Sequence, residues 1–261
     1  MNFAKKSLGQ NFLIDKNIIN KIVSLTSVQN RNIIEIGPGN GALTDEIIKR
    51  NPLSLSIIEK DYNLFEKLKL KYLNNKKIKI YNNDILKFDI EKIDNDNSII
   101  FGNLPYNISS QILVKIIKFK KWPPKFNDLI LMFQKELGEK VIGEYLTSNY
   151  GRLSILSKYR LNFIKKFLVS PHCFFPKPKI MSLVLHFSPN NKSSYKIKKI
   201  DNLEKITNIF FSNKRKMINK NIRKIFSTDE INKIKDINLN SRPSEIAPEI
   251  YYKITEIFEK K

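Results

Sequence analysis

The sequence predicts an α/β architecture: a mostly parallel sheet with helices on both faces, followed by a small all-helical domain. Three observations predict it. From about residue 15 to residue 143, short apolar runs alternate with stretches of helical periodicity, the pattern of successive βα units. Runs such as Ile33-Ile34 and Leu129–Phe133 are apolar without alternation, as expected of strands buried on both faces. After the polar, aperiodic stretch Ser188-Pro189-Asn190-Asn191-Lys192-Ser193-Ser194, every remaining periodic segment is helical. The boundary is therefore placed at this stretch, with a sheet domain over 1–188 and a helical domain over 189–261.

The elements follow in order. Residues 7–13 read as a loop. A helix starts near Asp15, with Ile18, Ile19, Ile22, Val23 and Leu25 at helical spacing. Asn32–Ile36 is a strand ending in Gly37-Pro38-Gly39-Asn40-Gly41, and a helix covers about Ala42–Arg50. Leu53–Ile58 is the next strand, closed by Glu59, and Asp61 is placed to cap the helix that runs to about Leu73. Lys77–Tyr81 and Ser98–Gly102 are further strands. A helix over Ser109–Phe119, a strand over Asp128–Phe133 and a helix around Lys135–Gly143 come next. Tyr159–Val169 and Met181–Phe187 read as an antiparallel closing hairpin, joined by the proline-rich turn Phe174–Lys179. In the helical domain, Leu203, Ile206, Ile209, Phe210 and Met217 form one apolar face. Ile222, Ile225, Phe226, Ile231, Ile234, Ile250, Ile254 and Ile257 continue the pattern.

Composition narrows the function. The 261 residues carry 47 Lys and Arg against 25 Asp and Glu, a formal charge of +22. Such an excess points to a polyanionic partner, because each neutralised phosphate releases counterions. With one cysteine, Cys173, and two histidines, His172 and His186, neither an internal disulfide nor a Cys/His zinc site can be assembled, and no metal is expected. A reducing cytoplasm is the expected setting. The basic start Met1–Ser7 is followed by no apolar core of a secretory signal. No apolar run approaches the ~18 residues of a membrane span, so a soluble protein with no membrane partner is expected.

The residues with chemical potential stand just past strand ends, where open parallel sheets bind ligands. Gly37 and Gly39 allow a tight turn and close approach of a ligand to the backbone. The spacing is G-x-G-x-G, which is not the dinucleotide fingerprint. Glu59 follows at the distance of an acid that accepts both ribose hydroxyls. Asp84, after the third strand, can accept from an adenine amine. Together these describe a pocket for an adenosine without phosphates, which suits S-adenosylmethionine. Asn103-Leu104-Pro105-Tyr106 adds a second kind of site. The Asn103 side chain and the Leu104 carbonyl are two acceptors for a planar amine. Pro105 fixes its own φ and biases Leu104 toward extended backbone. Tyr106 offers a stacking face. This is the pattern of enzymes that methylate the amine of a nucleobase.

These motifs bring the chain to a family. It resembles the ribosomal RNA adenine dimethyltransferases of the KsgA type over nearly its whole length. The matching segments are Leu8–Leu13, Glu35–Thr44, Ile58–Asp61, Asn83-Asp84, Gly102–Ser109, Gln134–Glu136, Tyr150–Ser154, Val169–Ile180, Phe211–Lys216 with Asn221, and Arg242–Ile246. The resemblance implies a Rossmann-like methyltransferase domain. In it Asn11 and Leu13 close over S-adenosylmethionine, Gly37 lies at its methionine end, Glu59 binds ribose and Asp84 binds adenine. Asn103 borders cofactor and target base, and Phe174 stacks on the target adenine opposite Tyr106. It further implies two methyls on N6 of each of two neighbouring adenines near the 3′ end of 16S rRNA in the small ribosomal subunit. Two basic groups are candidates to hold the RNA backbone. One is Lys214, Arg215 and Lys216 with Lys220, Arg223 and Lys224, placed on the helix that opens the C-terminal domain. The other is Lys177 with Lys179. A monomer is expected. Two other readings stay open: an Erm-type enzyme acting on 23S rRNA, and a ribosome-assembly factor with weak catalysis.

Overall fold

A computed structural model describes residues 10–234 and 237–261. Leu8 and Gly9 of the first matching segment, and the basic start before them, lie outside the described residues. The elements are β1 (Phe12–Leu13), α1 (Lys16–Val23), β2 (Asn32–Ile36), α2 (Ala42–Lys49), β3 (Ser54–Glu59), α3 (Tyr62–Lys71), β4 (Ile78–Asn82), β5 (Ser98–Asn103), α4 (Ser109–Ile117) and β6 (Phe126–Gln134). There follow α5 (Lys135–Val141), α6 (Arg152–Arg160), β7 (Leu161–Val169), β8 (Phe174–Phe175), β9 (Ser182–Pro189), α7 (Ile200–Phe211), α8 (Asn219–Ile222), α9 (Thr228–Asn232) and α10 (Pro248–Phe258).

A seven-stranded sheet has the order β4-β3-β2-β5-β6-β9-β7. The pairs among β4, β3, β2, β5 and β6 are parallel, and β9 is antiparallel to β6. The central strands are apolar on both faces because helices cover both. Ile33, Ile34, Ile99, Ile100 and Leu129–Phe133 are all buried. Helix α1 starts where Asp15 accepts from the backbone N–H groups of Asn17 and Ile18, and α3 starts where Asp61 accepts from Asn63 and Leu64. Each helix then turns an apolar stripe to the sheet: Ile19, Ile22 and Val23 from α1, Ile112, Leu113, Ile116 and Ile117 from α4.

The chain forms two compact units, one of residues up to 138 with 163–189, the other of 139–162 with 190–261. The segment 139–162 thus belongs with the helical residues, whereas the sequence boundary at 188/189 assigns it to the sheet. Its tyrosines explain the difference. The Tyr150 hydroxyl donates to the Ile246 carbonyl at 2.8 Å, and Tyr252 donates to Ile155 at 3.1 Å. Tyr159, expected to open a strand, instead lies in the last turn of α6. Its hydroxyl donates to the Tyr195 carbonyl and accepts from the Ile197 N–H, both at 3.1 Å. The core of this unit is Leu203, Ile206, Phe210, Tyr251 and Ile254, all fully buried.

Three further expectations are corrected. Residues 12–13 form a short strand rather than loop, paired antiparallel with β8. Met217, expected on an apolar face, is 52 % exposed. Helix α7 stops at Phe211, whose preceding carbonyl, Phe210, accepts instead from the buried Asn221 side chain at 3.3 Å. Lys214–Lys216 therefore stand in the turn after α7 and not on a helix.

Candidate active site

Strand order reverses between β2 and β5. The chain leaves β2 toward β3 on one side and leaves β5 toward β6 on the other. A crevice opens at such a switch point, beyond the carboxyl ends of the strands. Ile36 pairs with Gly102, so the turn after β2 and the turn after β5 start side by side. A large cleft of about 1140 Å³, counted out to its open mouth, occupies this place. Its walls come from the β1 segment, the glycine turn, Glu59-Lys60, Asn83–Ile85 and Asn103–Ile108.

The glycine turn shapes the floor. Gly37 and Gly39 have φ of +67° and +60°, a left-handed region open to glycine at no steric penalty. A Cβ on Gly39 would lie 2.8 Å from the Phe12 ring, so glycine there also lets β1 close down on the turn. Glu59 is buried at the end of β3. One of its carboxylate oxygens accepts from the Asp61 N–H at 2.8 Å and the other from the Gly39 N–H at 3.3 Å. Burial raises its pKa, and these backbone donors oppose the rise. Asp84 accepts from the Leu86 N–H at 2.9 Å and pairs with Lys60 Nζ at 2.8 Å. The Lys60 hydrogen bond holds its carboxyl below the usual range. Lys60 is the sole basic residue on the described wall, and Asp84 neutralises it. The wall therefore offers acceptors and apolar surface but no phosphate cradle.

Asn103 ends β5 beside this floor. Its Nδ2 donates to the Asn11 carbonyl at 3.2 Å. That bond fixes the amide's orientation and leaves Oδ1 as an acceptor without a partner among the described residues. The Pro105 carbonyl closes the following turn by accepting from Ile108 at 3.2 Å. The Tyr106 hydroxyl is bonded to the Ser182 hydroxyl at the start of β9, 2.6 Å away, which holds the ring as a fixed platform. Burial raises the pKa of that hydroxyl.

Ten predicted residues thus share one cleft: Asn11, Leu13, Gly37, Gly39, Glu59, Asp84, Asn103, Leu104, Pro105 and Tyr106. Phe174 does not join them in the wall. It is 3 % exposed and packs in the core with Leu13, Val169 and Cys173, while its neighbour Phe175 is 60 % exposed. Lys177 and Lys179 are exposed, and Lys177 Nζ donates to His172 Nε2 at 3.0 Å. Lys214, Arg215, Lys216, Lys220, Arg223 and Lys224 are exposed in the helical unit. Among the wall residues that sequence reasoning did not single out are Phe12, Lys60 and Ile85. Ile85, apolar and directly after an acid at a strand end, had a readable signal; the Lys60–Asp84 pair had none. Among the described residues no cluster of His, Cys, Asp and Glu is placed to hold a metal.

The family model for ribosomal RNA adenine dimethylase matches residues 1–260. The chain belongs to the ribosomal RNA adenine dimethylase family. Among curated relatives, the ribosomal RNA small subunit methyltransferase A of Pelagibacter ubique is 46 % identical over 257 residues, 98 % of this chain and 97 % of the relative. The protein of that name from Malacoplasma penetrans is 37 % identical over 97 % of this chain and 91 % of its own length. Among solved structures, a dimethyladenosine transferase from Plasmodium falciparum aligns with a TM-score of 0.76 at 22 % identity, covering 95 % of this chain and 98 % of its own. The 23S rRNA methyltransferase ErmE aligns with a TM-score of 0.70 at 20 % identity, over 95 % of this chain and all of its own. These two likenesses establish the fold, a Rossmann-like methyltransferase domain with a helical C-terminal part.

Proposed function

We propose that this chain transfers methyl groups from S-adenosylmethionine to N6 of adenines in small-subunit ribosomal RNA, two methyls to each of two neighbouring adenines near the 3′ end. One observation carries the reading: an oriented amide, Asn103, lines the same cleft as the acids Glu59 and Asp84 and stands beside a pinned aromatic ring, Tyr106. Family membership and the small-subunit methyltransferase relatives support the substrate. The cleft residues suit the cofactor. Glu59 keeps lone pairs for ribose hydroxyls, Asp84 for an adenine amine, and Asn11 and Leu13 close the site above Gly37 and Gly39. When bound, S-adenosylmethionine supplies an electrophilic methyl group.

The protein's contribution is placement and electrostatics. The adenine amine is a poor nucleophile because its lone pair is delocalised into the ring. Asn103 Oδ1 and the Leu104 carbonyl accept its two N–H bonds and so favour a pyramidal nitrogen whose lone pair faces the methyl. Tyr106 compensates for stacking lost when the base leaves its RNA neighbours. The methylated nitrogen is strongly acidic and gives its proton to solvent, so no dedicated base is required. The second transfer proceeds with one of the two acceptors unfilled. Lys177, Lys179 and the Lys214–Lys216 turn with Lys220 and Arg223 hold RNA phosphates. One chain carries every group named, so the enzyme acts as a monomer. Its substrate, the small subunit or its precursor, places it in the cytoplasm.

The test is transfer of labelled methyl from S-adenosylmethionine to unmodified small subunits, with large-subunit RNA in parallel. Dimethyladenosine in small-subunit RNA is expected. Label confined to large-subunit RNA, or none in either, would overturn the reading.

A further inference from the structure

We infer that Phe175 is a second base-binding platform, stacking on a nucleobase adjacent to the one held at Asn103–Tyr106; this rests on the methyl-transfer reading above. The register of the β1–β8 ribbon places it. Phe12 pairs with Phe175 and Leu13 with Phe174. Residues directly opposite one another in an antiparallel pair share a face. Leu13 and Phe174 are buried together in the core, with Leu13 also edging the cleft. Phe12 faces the cleft, with its ring against Gly39. Phe175 therefore shares the face of the ribbon on which Phe12 packs against the glycine turn, and at 60 % exposure it stands just outside the cleft wall.

The segment that follows ties this rim to the reacting end. From Phe175 the chain runs through Pro176–Met181 to Ser182, whose hydroxyl bonds that of Tyr106. The exposed face of Phe175 thus belongs to a short arch that starts beside Phe12 and ends at Tyr106. Along it Lys177 and Lys179 are exposed. Ile180 and Met181 are 42 % and 36 % exposed. Phe175 enters no aromatic ring pair among the described residues. An isolated exposed phenylalanine needs no explanation. An unstacked ring on a pinned ribbon, followed closely by two lysines and leading to a base-modifying turn, has the composition of a single-strand platform: aromatic faces for bases, cations for the backbone. The ligand class is a base in single-stranded RNA that flanks the target adenine.

The experiment uses the full chain and a short single-stranded RNA carrying 2-aminopurine beside the target adenine, whose fluorescence stacking quenches. Wild type is expected to quench it. Phe175→Ala is expected to lose most quenching and to bind the RNA roughly ten-fold more weakly, the effect of one lost base–aromatic stack. Phe175→Trp restores both, and S-adenosylmethionine affinity is the same in all three. Absent quenching by wild type, equal quenching and affinity in Phe175→Ala, or a parallel loss of cofactor affinity would each overturn the proposal. Methyl transfer by wild type to small subunits is scored separately. Its absence counts against the methyl-transfer reading, whereas its presence with an unaffected Phe175→Ala counts against Phe175 alone.

Discussion

Replacing Glu35 by Gln should remove a pH dependence of stability that resides in one buried carboxyl. Glu35 sits in β2, flanked in the sheet by Ile57 on β3 and Phe101 on β5. The Thr44 hydroxyl donates to its Oε2 at 2.7 Å, and Oε1 has no partner among the described residues. Burial pushes its pKa from 4.5 up to about 7, and the Thr44 bond only partly opposes this. The sign follows from proton counting. Below 4.5 the group is protonated folded and unfolded, so it contributes no pH dependence. Between 4.5 and about 7 the unfolded chain releases a proton that the folded chain keeps, so rising pH favours unfolding. The whole interval corresponds to about 3 kcal/mol, lost as pH climbs through it. Gln keeps an acceptor for Thr44 and cannot ionise. Urea unfolding followed by Trp122, the single tryptophan, reports on the sheet unit. From about pH 5 to about pH 8 the stability difference should move in favour of Glu35→Gln by about 2–3 kcal/mol. A difference that stays constant within about 0.5 kcal/mol would refute the reasoning.

Three other perturbations follow from the geometry. Asn103→Ala removes a pre-positioned acceptor, and turnover on small subunits should fall on the order of 100-fold or more; near-normal turnover would remove Asn103 from the mechanism. Asp84→Asn should weaken S-adenosylmethionine binding by about ten-fold in calorimetry, through loss of a charged acceptor. Its melting temperature should hardly change, because the Lys60 partner is 54 % exposed and such pairs contribute little; unchanged affinity would free Asp84 of its role. Replacing Lys214, Arg215 and Lys216 together by Ala should lower the slope of log affinity against log salt by about 2–3, one phosphate contact for each residue lost. An unchanged slope would take the turn out of the RNA interface.

The parallel sheet was legible because its signals are local. Apolar runs, glycine turns and the capping residues Asp15 and Asp61 announce elements within a few residues of themselves. What was not legible depends on partners distant in sequence. Tyr159 and Arg160 carry a strand-like pattern, yet Tyr195 and Ile197 hold Tyr159 in the helical unit. Residues 12–13 are too few to show periodicity and become a strand only because β8 lies alongside. The turn at Lys214 is set by Asn221 reaching back to Phe210. The residues at strand ends that line the cleft were readable for the same reason as the strands. Lys60 was not, since nothing local shows that its ammonium lies on Asp84.

The two adjacent phenylalanines show how far one pairing register decides function. In sequence Phe174 and Phe175 are interchangeable aromatics, and a slip of one residue would swap their faces. The observed register buries Phe174 with Leu13 and leaves Phe175 out. For Phe174 to stack on a base, its ring must leave the core contacts with Val169 and Cys173. Exposing a phenylalanine costs about 1.5–3 kcal/mol, and a base stack returns about 1–3 kcal/mol. The exchange is close to neutral, so in this conformation Phe174 gains nothing by stacking. Phe175 is already in solvent and loses no packing, so it realises the full stacking energy. Phe174→Ala should accordingly lower stability by about 3–5 kcal/mol, whereas Phe175→Ala should lower RNA affinity and leave folding intact. A destabilised Phe175→Ala with intact RNA binding would reverse the assignment.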